Sequence, residues 1–136
     1  MTRTFADGLS ILISGLQSQF PDRWVADRLP PQVESDLPAI WINPIPGATR
    51  FTPWGEGLPL EDVPAFDVDI LAAKSAGWRA LYDYADAVRT ALLTIYTRDL
   101  RVRGVNEDVP LTKRPEWNDR VIRVGGEYSL RIPRQM

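Results

Sequence analysis

The chain has 136 residues, of which 44% are hydrophobic and 25% are charged, and its formal net charge is −2. This composition is typical of a folded globular protein and the length suits one hydrophobic core, so we expect a single domain over residues 1–136. The chain contains no histidine and no cysteine, which excludes histidine-activated nucleophiles, thiolate chemistry, disulfides and thiolate zinc sites. We therefore predict that the protein is not an enzyme and that it holds no cofactor and no metal ion.

The sequence predicts neither a membrane-spanning segment nor specific binding to DNA. The N-terminus has no basic segment followed by an apolar run, and no window approaches the ~18 apolar residues of a membrane span, so we expect a cytosolic or particle-bound protein. Residues 1–64 hold four basic and eight acidic side chains (net −4), whereas residues 65–136 hold twelve basic and ten acidic ones (net +2). This asymmetry is weaker than the basic patch of a DNA-binding protein. It suits surfaces of opposite sign that meet one another.

The N-terminal half contains one predicted helix and one clear strand. Apolar residues at helical spacing predict a helix over residues 4–19 that ends before Pro21. Residues 23–29 permit a short strand, and the apolar run over residues 39–43 predicts a buried one. Eight of the twelve prolines fall between Pro30 and Pro64, so we expect a long loop at about residues 44–64.

The strand and helix that follow this loop are the predicted centre of the core. Phe66, Val68 and Ile70 alternate with Asp67 and Asp69, so one face of the strand is apolar and the other is acidic. Ser75 is the candidate N-cap of the helix. The apolar stripe of this helix consists of Trp78, Leu81, Ala85, Val88, Leu92 and Ile95.

The pattern of residues in the C-terminal part of the chain predicts two strands and a second long loop. Residues 100–103 predict a strand that ends near Gly104, and residues 106–118, with two prolines, predict a loop. Residues 120–132 alternate over a longer stretch, in which Gly125 and Gly126 indicate a bulge or a sharp bend. Together the elements predict an α+β fold with a mixed or mostly antiparallel sheet of about four to five strands, packed by two main helices.

Asp67 and Asp69 are the best sequence candidate for a divalent-cation site, because hard cations prefer several carboxylate oxygens and two more acidic residues lie just upstream. The other interpretation is structural, since every second residue of a half-buried strand must be polar. The aspartates would then pair with arginines across the sheet. The candidate partners are Arg101 and Arg103, or Arg123 and Arg131. We favour cross-strand pairing over metal binding.

The two predicted loops carry several large apolar side chains. These are Phe51, Trp54, Leu58 and Trp117. They either fold back on the domain as a satellite cluster or dock on another subunit, because interface cores are enriched in aromatic residues.

The order of elements along the chain carries a family resemblance. An N-terminal amphipathic helix precedes a strand reading LPAIWI, a loop rich in proline and glycine, the strand FDVDI, a long helix, and a terminal strand ending YSLRIP. This order resembles that of the tail terminator and tail-completion proteins of long-tailed bacteriophages, particularly those that infect actinobacteria. The resemblance extends over nearly the whole chain but includes no catalytic signature.

The resemblance implies a structural virion protein whose subunits form a ring, usually a hexamer, on the end of the tail tube. Such a ring ends tube polymerisation and presents the joint to the head connector, while genomic DNA passes the lumen without specific binding. The protein would lie in the neck of the virion, and in the host cytoplasm during assembly. The alternative is another head–tail neck or head-completion protein. A carboxylate-dependent metalloenzyme using Asp67 and Asp69 is less favoured.

Interface residues are hypotheses at this stage. The contact anchors would be Phe51, Trp54, Leu58 and Trp117. The charged groups between subunits or facing the lumen would be Asp67, Asp69, Arg101, Arg103, Arg123 and Arg131. The long final strand is expected at an exposed sheet edge, where it would pair or abut across subunits.

Overall fold

A computed structural model describes residues 5–33, 36–46, 50–51 and 61–133. The helices are α1 (Phe5–Gln19) and α2 (Gly77–Leu93), and the strands are β1 (Trp24–Ala26), β2 (Ala39–Pro44), β3 (Arg50–Phe51), β4 (Glu61–Val63), β5 (Ala65–Ala73), β6 (Gly104–Arg114) and β7 (Val121–Pro133). The protein is α+β with a mixed sheet, as predicted. The described residues form seven strands, more than predicted, because β1, β3 and β4 are only two or three residues long.

The sheet has the order β1-β2-β5-β7-β4-β3, with β6 on the other side of β7. Among the strands that the structure describes, only β1 and β2 pair in parallel. Strands β4 and β5 keep one register against β7, from Glu61 opposite Pro133 to Ala73 opposite Val121. Between them the Leu130 N–H donates to the Pro64 carbonyl at 3.0 Å. Strands β4 and β5 are therefore one long strand that Pro64 interrupts, since proline has no N–H to donate.

Both helices contribute to the core on one face of the sheet. Phe66, Val68 and Ile70 of β5 are fully buried there, as the alternation predicts. The buried stripe of α2 is Leu81, Ala85, Val88, Ala91 and Leu92, and it belongs to the same hydrophobic cluster as Ile11, Leu12 and Leu16 of α1. Burying one large aliphatic or aromatic side chain contributes roughly 1.5–3 kcal/mol, so this layer supplies most of the hydrophobic stabilisation.

The segment before β7 differs most from the prediction. Residues 106–118 are not a long loop, because β6 covers Gly104–Arg114 and leaves only residues 115–120 as the connection to β7. The predicted strand over residues 100–103 is also wrong, since these residues form the turn into β6 and Leu100 is 98% exposed. Strand β6 lacks a clean alternation because it lies at the edge of the sheet and is mostly exposed or half-buried.

Strand β7 lies inside the sheet rather than at its edge. It pairs with β5 and β4 on one side and with β6 on the other. The expectation that the final strand is an exposed edge is therefore wrong, and among the described residues the edge on this side is β6.

Gly125 and Gly126 do not break β7, which is continuous through both. The irregularity lies on the facing strand, where the register shifts between Glu107 and Val109 and again between Val109 and Thr112. A Cβ at Gly126 would lie 2.5 Å from the Val109 carbonyl oxygen. The glycine therefore lets the irregular backbone of β6 approach β7 closely.

Helix α2 begins without the predicted serine cap. A 3₁₀ turn covers Lys74–Ala76, and Ala76 occupies the N-cap position with no side-chain hydrogen bond. Gly77 has φ +88°, a value that favours glycine, and it turns the chain from the 3₁₀ segment into α2.

A buried tyrosine joins α2, β6 and β7. The Tyr128 hydroxyl donates to Glu107 Oε2 at 2.7 Å, and the Arg89 guanidinium donates to both Glu107 oxygens at 2.7 and 3.0 Å. The hydrogen bond from Arg89, more than that from Tyr128, lowers the pKa of Glu107. The Glu107 carboxylate therefore stabilises the fold above the usual glutamate pKa, and this contribution is lost as pH falls through the lower folded-state pKa.

We expect Tyr128→Phe to lower the free energy of unfolding by about 1 kcal/mol at neutral pH, because one buried hydrogen bond is lost. The loss should shrink on acidification, once Glu107 is protonated in wild type and variant alike. Urea unfolding at several pH values measures both effects. Tyr84→Phe is the matched control, because the buried Tyr84 hydroxyl makes no hydrogen bond to the described residues. An equal loss in the two variants would contradict a specific role for the Tyr128 hydroxyl.

Candidate interaction surface

The face of the sheet opposite the helices carries a charged cluster. Asp67 and Asp69 alternate with the buried apolar residues of β5, so they lie on this outer face. Arg114, at the end of β6, places Nη1 3.0 Å from Asp67 Oδ1 and 3.0 Å from Asp69 Oδ1. Arg123 of β7 lies with Nε 3.7 Å from Asp69 Oδ1. Sequence reasoning identified Arg123 as a candidate partner but missed Arg114, which lies in the segment predicted as a loop.

Gly125 provides the space for this cluster. It lies directly opposite Asp69 in the β5–β7 register. A Cβ at this position would lie 2.2 Å from Asp69 Oδ1 and 2.6 Å from Arg114 Nε. The first glycine of the pair therefore accommodates an ion pair, and the second accommodates the β6 backbone.

Burial dominates the electrostatics of Asp69, which is only 4% exposed. Desolvation raises the pKa of its carboxyl above the usual value, and the attraction of Arg114 and Arg123 opposes that rise. Trp41, directly across from Asp69 on β2, has a buried indole N–H with no hydrogen bond to the described residues. The cluster is thus a partly buried set of paired charges, with little free charge to offer a ligand.

A second ion cluster lies at the other end of β7. Glu61 Oε2 is 3.3 Å from Arg103 Nε, and Glu61 Oε1 is 3.4 Å from Arg131 Nε. Arg101 instead binds Asp99 at 2.7 Å. The structure therefore does not bring Arg101, Arg103 or Arg131 to the two aspartates of β5.

The aspartates of β5 do not form a metal site with their acidic neighbours. Within residues 5–33, 36–46, 50–51 and 61–133, no three acidic side chains are grouped so that they could hold a metal ion. Asp67 and Asp69 face arginines, and Glu61 lies several residues away along the same long strand, also with arginine partners. The geometry is that of cross-strand ion pairs.

The four apolar loop candidates are Phe51, Trp54, Leu58 and Trp117. Trp54 and Leu58 lie outside the described residues, and Phe51 belongs to β3, where only the backbone is described. Trp117 lies in the short connection between β6 and β7 and is 92% exposed. It therefore does not fold back on the domain.

The chain neighbours of Trp117, Glu116 and Asn118, line a depression together with Trp78, which belongs to a group of partly exposed residues at the start of α2. Lys113 Nζ lies 4.5 Å from the centre of the Trp78 ring, a cation–π contact, and the Trp78 and Tyr82 rings are 5.8 Å apart. This shallow depression of about 290 Å³ runs beside them and is lined in part by Trp78, Glu116 and Arg123. Sequence reasoning assigned Trp78 to the core stripe and did not identify this group.

Comparisons with known proteins show the fold alone. No family model matches the chain, and no curated protein matches its sequence. Several solved structures match the fold of this chain. One of them has a TM-score of 0.54 and 11% sequence identity, over 93% of this chain and 96% of that one. The name of that protein states no activity, ligand or partner. The shared feature is therefore the α+β architecture.

No helix in the described part of the chain is long and apolar enough to cross a membrane.

Proposed function

We propose that this protein is a structural virion component that forms a ring on the end of a phage tail tube, ends tube polymerisation and provides the joint to the head connector. Its partners would be further copies of itself, the tube protein and the connector, with genomic DNA passing the lumen. The observation that carries the proposal is the chemistry of the described surface. Its clustered charges are paired within the subunit, whereas Trp117 projects into solvent. Such a surface is suited to contact rather than to catalysis.

The order of elements supports the same proposal. The helix, the strand Ala39–Pro44, the strand Ala65–Ala73, the long helix and the C-terminal strand follow one another as the family resemblance requires. Cyclic rings need two different complementary surfaces on each subunit, and a fold with several exposed loops and one irregular edge strand offers them.

Assembly of tubes with and without this chain tests the proposal. The tail-tube protein of the same virus is polymerised alone and with the purified chain, and tube lengths are measured by negative-stain electron microscopy. We expect shorter tubes with a ring-shaped density at one end, and native mass spectrometry should show a closed oligomer. Tubes of unchanged length, capped at neither end, would overturn the terminator role. Unchanged tube length with binding to the head connector would point to another neck protein.

A further inference from the structure

Two exposed features lie in the same row of the sheet at its opposite edges. The row runs from Trp24 on β1 through Ala39, Leu71 and Arg123 to Arg114 on β6, each directly opposite the next. Trp117 follows Arg114 by three residues, and residues 21–23 lead directly into Trp24. The loop of Trp117 and the turn before β1 are therefore at the same height along the strands.

The turn before β1 forms a depression on the described surface. Its volume is about 390 Å³, and it is lined by Pro21, Asp22, Arg23, Trp24, Asp36 and Leu37. This volume is in the range of small-ligand sites, roughly 300–1,000 Å³, and exceeds what one indole ring needs. Its lining is mainly polar, with acceptors on Asp22 and Asp36, and Pro21 and Leu37 offer the apolar contacts. A tryptophan suits such a site, because its ring is apolar and its N–H requires an acceptor when buried.

The charges of the two regions have opposite sign. Residues 113–120 carry three basic and two acidic side chains (3 − 2 = +1). The residues that line the depression carry one basic side chain, Arg23, and two acidic ones, Asp22 and Asp36 (1 − 2 = −1). Complementary charge favours encounter in one orientation and disfavours contact between like regions. The Trp117 loop is therefore matched to the β1 depression rather than to a second Trp117 loop.

We propose that Trp117 of one protomer inserts into the depression between Pro21 and Leu37 of a second copy of this chain. The contact is heterologous, because it joins two different surfaces, and heterologous contacts close into rings when the operator is a pure rotation. A rotation axis parallel to the central strand β5 keeps both surfaces at the same end of the sheet, where their shared row places them. A large offset along the strands would instead generate an open helical filament. The inference rests on the proposed ring and names the residues that would hold it together.

Substitution of the exposed tryptophan tests the contact. Trp117→Ala should weaken self-association at least ~10-fold, as expected for truncation of a central aromatic anchor, and sedimentation velocity over a concentration series measures this. At concentrations where both proteins are monomeric, its melting temperature should equal that of wild type, because the side chain is 92% exposed. Leu100→Ala is the matched control, since Leu100 is 98% exposed but lies at the opposite end of β6. Unchanged association of Trp117→Ala would overturn the proposal.

The absence of cysteine from the chain permits a direct second test. The double variant Leu37→Cys/Trp117→Cys should form disulfide-linked multimers on mild oxidation, visible as a ladder on non-reducing gels. The control Leu37→Cys/Leu100→Cys should not form such a ladder. Equal ladders in the two variants would overturn the contact.

Failure of this inference can be told apart from failure of the proposed function. If wild type and Trp117→Ala both form rings and both end tubes, only the Trp117 contact is wrong. If Trp117→Ala still forms rings but no longer ends tubes, Trp117 faces the tube protein and the proposed contact is wrong. If wild type remains monomeric with tube protein present and tubes grow unchecked, the ring function itself fails together with the contact.

Discussion

Replacing Gly126 with alanine is expected to lower the free energy of unfolding by about 2–4 kcal/mol, which overlaps the upper part of the typical ~1–3 kcal/mol cost of overpacking a core and extends above it. A Cβ at this position would lie 2.5 Å from the Val109 carbonyl oxygen, 3.0 Å from the Pro110 carbonyl carbon and 3.1 Å from the Leu111 nitrogen. All three atoms belong to the backbone, so no side-chain rotation relieves the contact. Either β6 moves away from β7 or its ladder breaks at the second register shift.

Urea unfolding of Gly126→Ala against wild type measures this loss. Gly104→Ala is the matched control on the same strand pair, because an added Cβ there meets only the Arg131 guanidinium at 3.4 Å, an ordinary contact. If both variants lose the same stability, the effect reflects the change from glycine in a strand rather than the close approach of β6.

Replacing Arg114 with alanine is the second change with a large expected effect. It removes the closest cation from Asp69, which remains almost fully buried. Breaking a buried ion pair from one side costs ~3–5 kcal/mol, and we expect about 2–3 kcal/mol here because Arg123 stays close to the carboxylate. The double variant Asp69→Asn/Arg114→Ala should recover part of the loss, since the almost fully buried side chain at position 69 then carries no charge. Equal stability of the single and double variants would contradict the coupling.

The pH dependence of Arg114→Ala has a defined sign. The folded-state pKa of Asp69 is already raised by burial, and loss of Arg114 raises it further because an attraction that opposed burial disappears. A raised carboxyl pKa means that the folded state binds more protons, so stability falls as pH rises between the unfolded and folded pKa values. The difference between Arg114→Ala and wild type should therefore be larger at about pH 7 than at about pH 4. A difference that is constant with pH would show that Arg114 stabilises by packing alone.

The helices and strands that bury one face could be predicted from the sequence. Helix α1, strand β2 and the β5–α2 unit were predicted with bounds close to those observed, because their apolar residues repeat at the period of a helix or of a strand. The repeat of a helix or a strand places every apolar residue of such a pattern on one face, so the pattern indicates which residues are buried. The outer face of β5 was also predicted to pair with arginine, and the contact of Arg123 with Asp69 confirms this.

The strands at the edge of the sheet could not be predicted from periodicity. Strand β6 is exposed over much of its length and contains a proline and two register shifts, so neither alternation nor continuity marks it. Because β6 was not predicted as a strand, Arg114 was not identified as a partner of the aspartates, although it is the residue closest to both of them. The position of β7 was missed for another reason, since which strands pair is decided by tertiary packing rather than by the pattern within one strand.

The same irregularities of β6 limit how the protein aggregates. An open edge strand can serve as a template for strands of other chains, and proline, bulges and lysine are the features that prevent this. Strand β6 contains Pro110, Lys113 and two register shifts within eleven residues. Unlimited growth of the sheet by edge-to-edge addition, as in amyloid, is thereby disfavoured on this side.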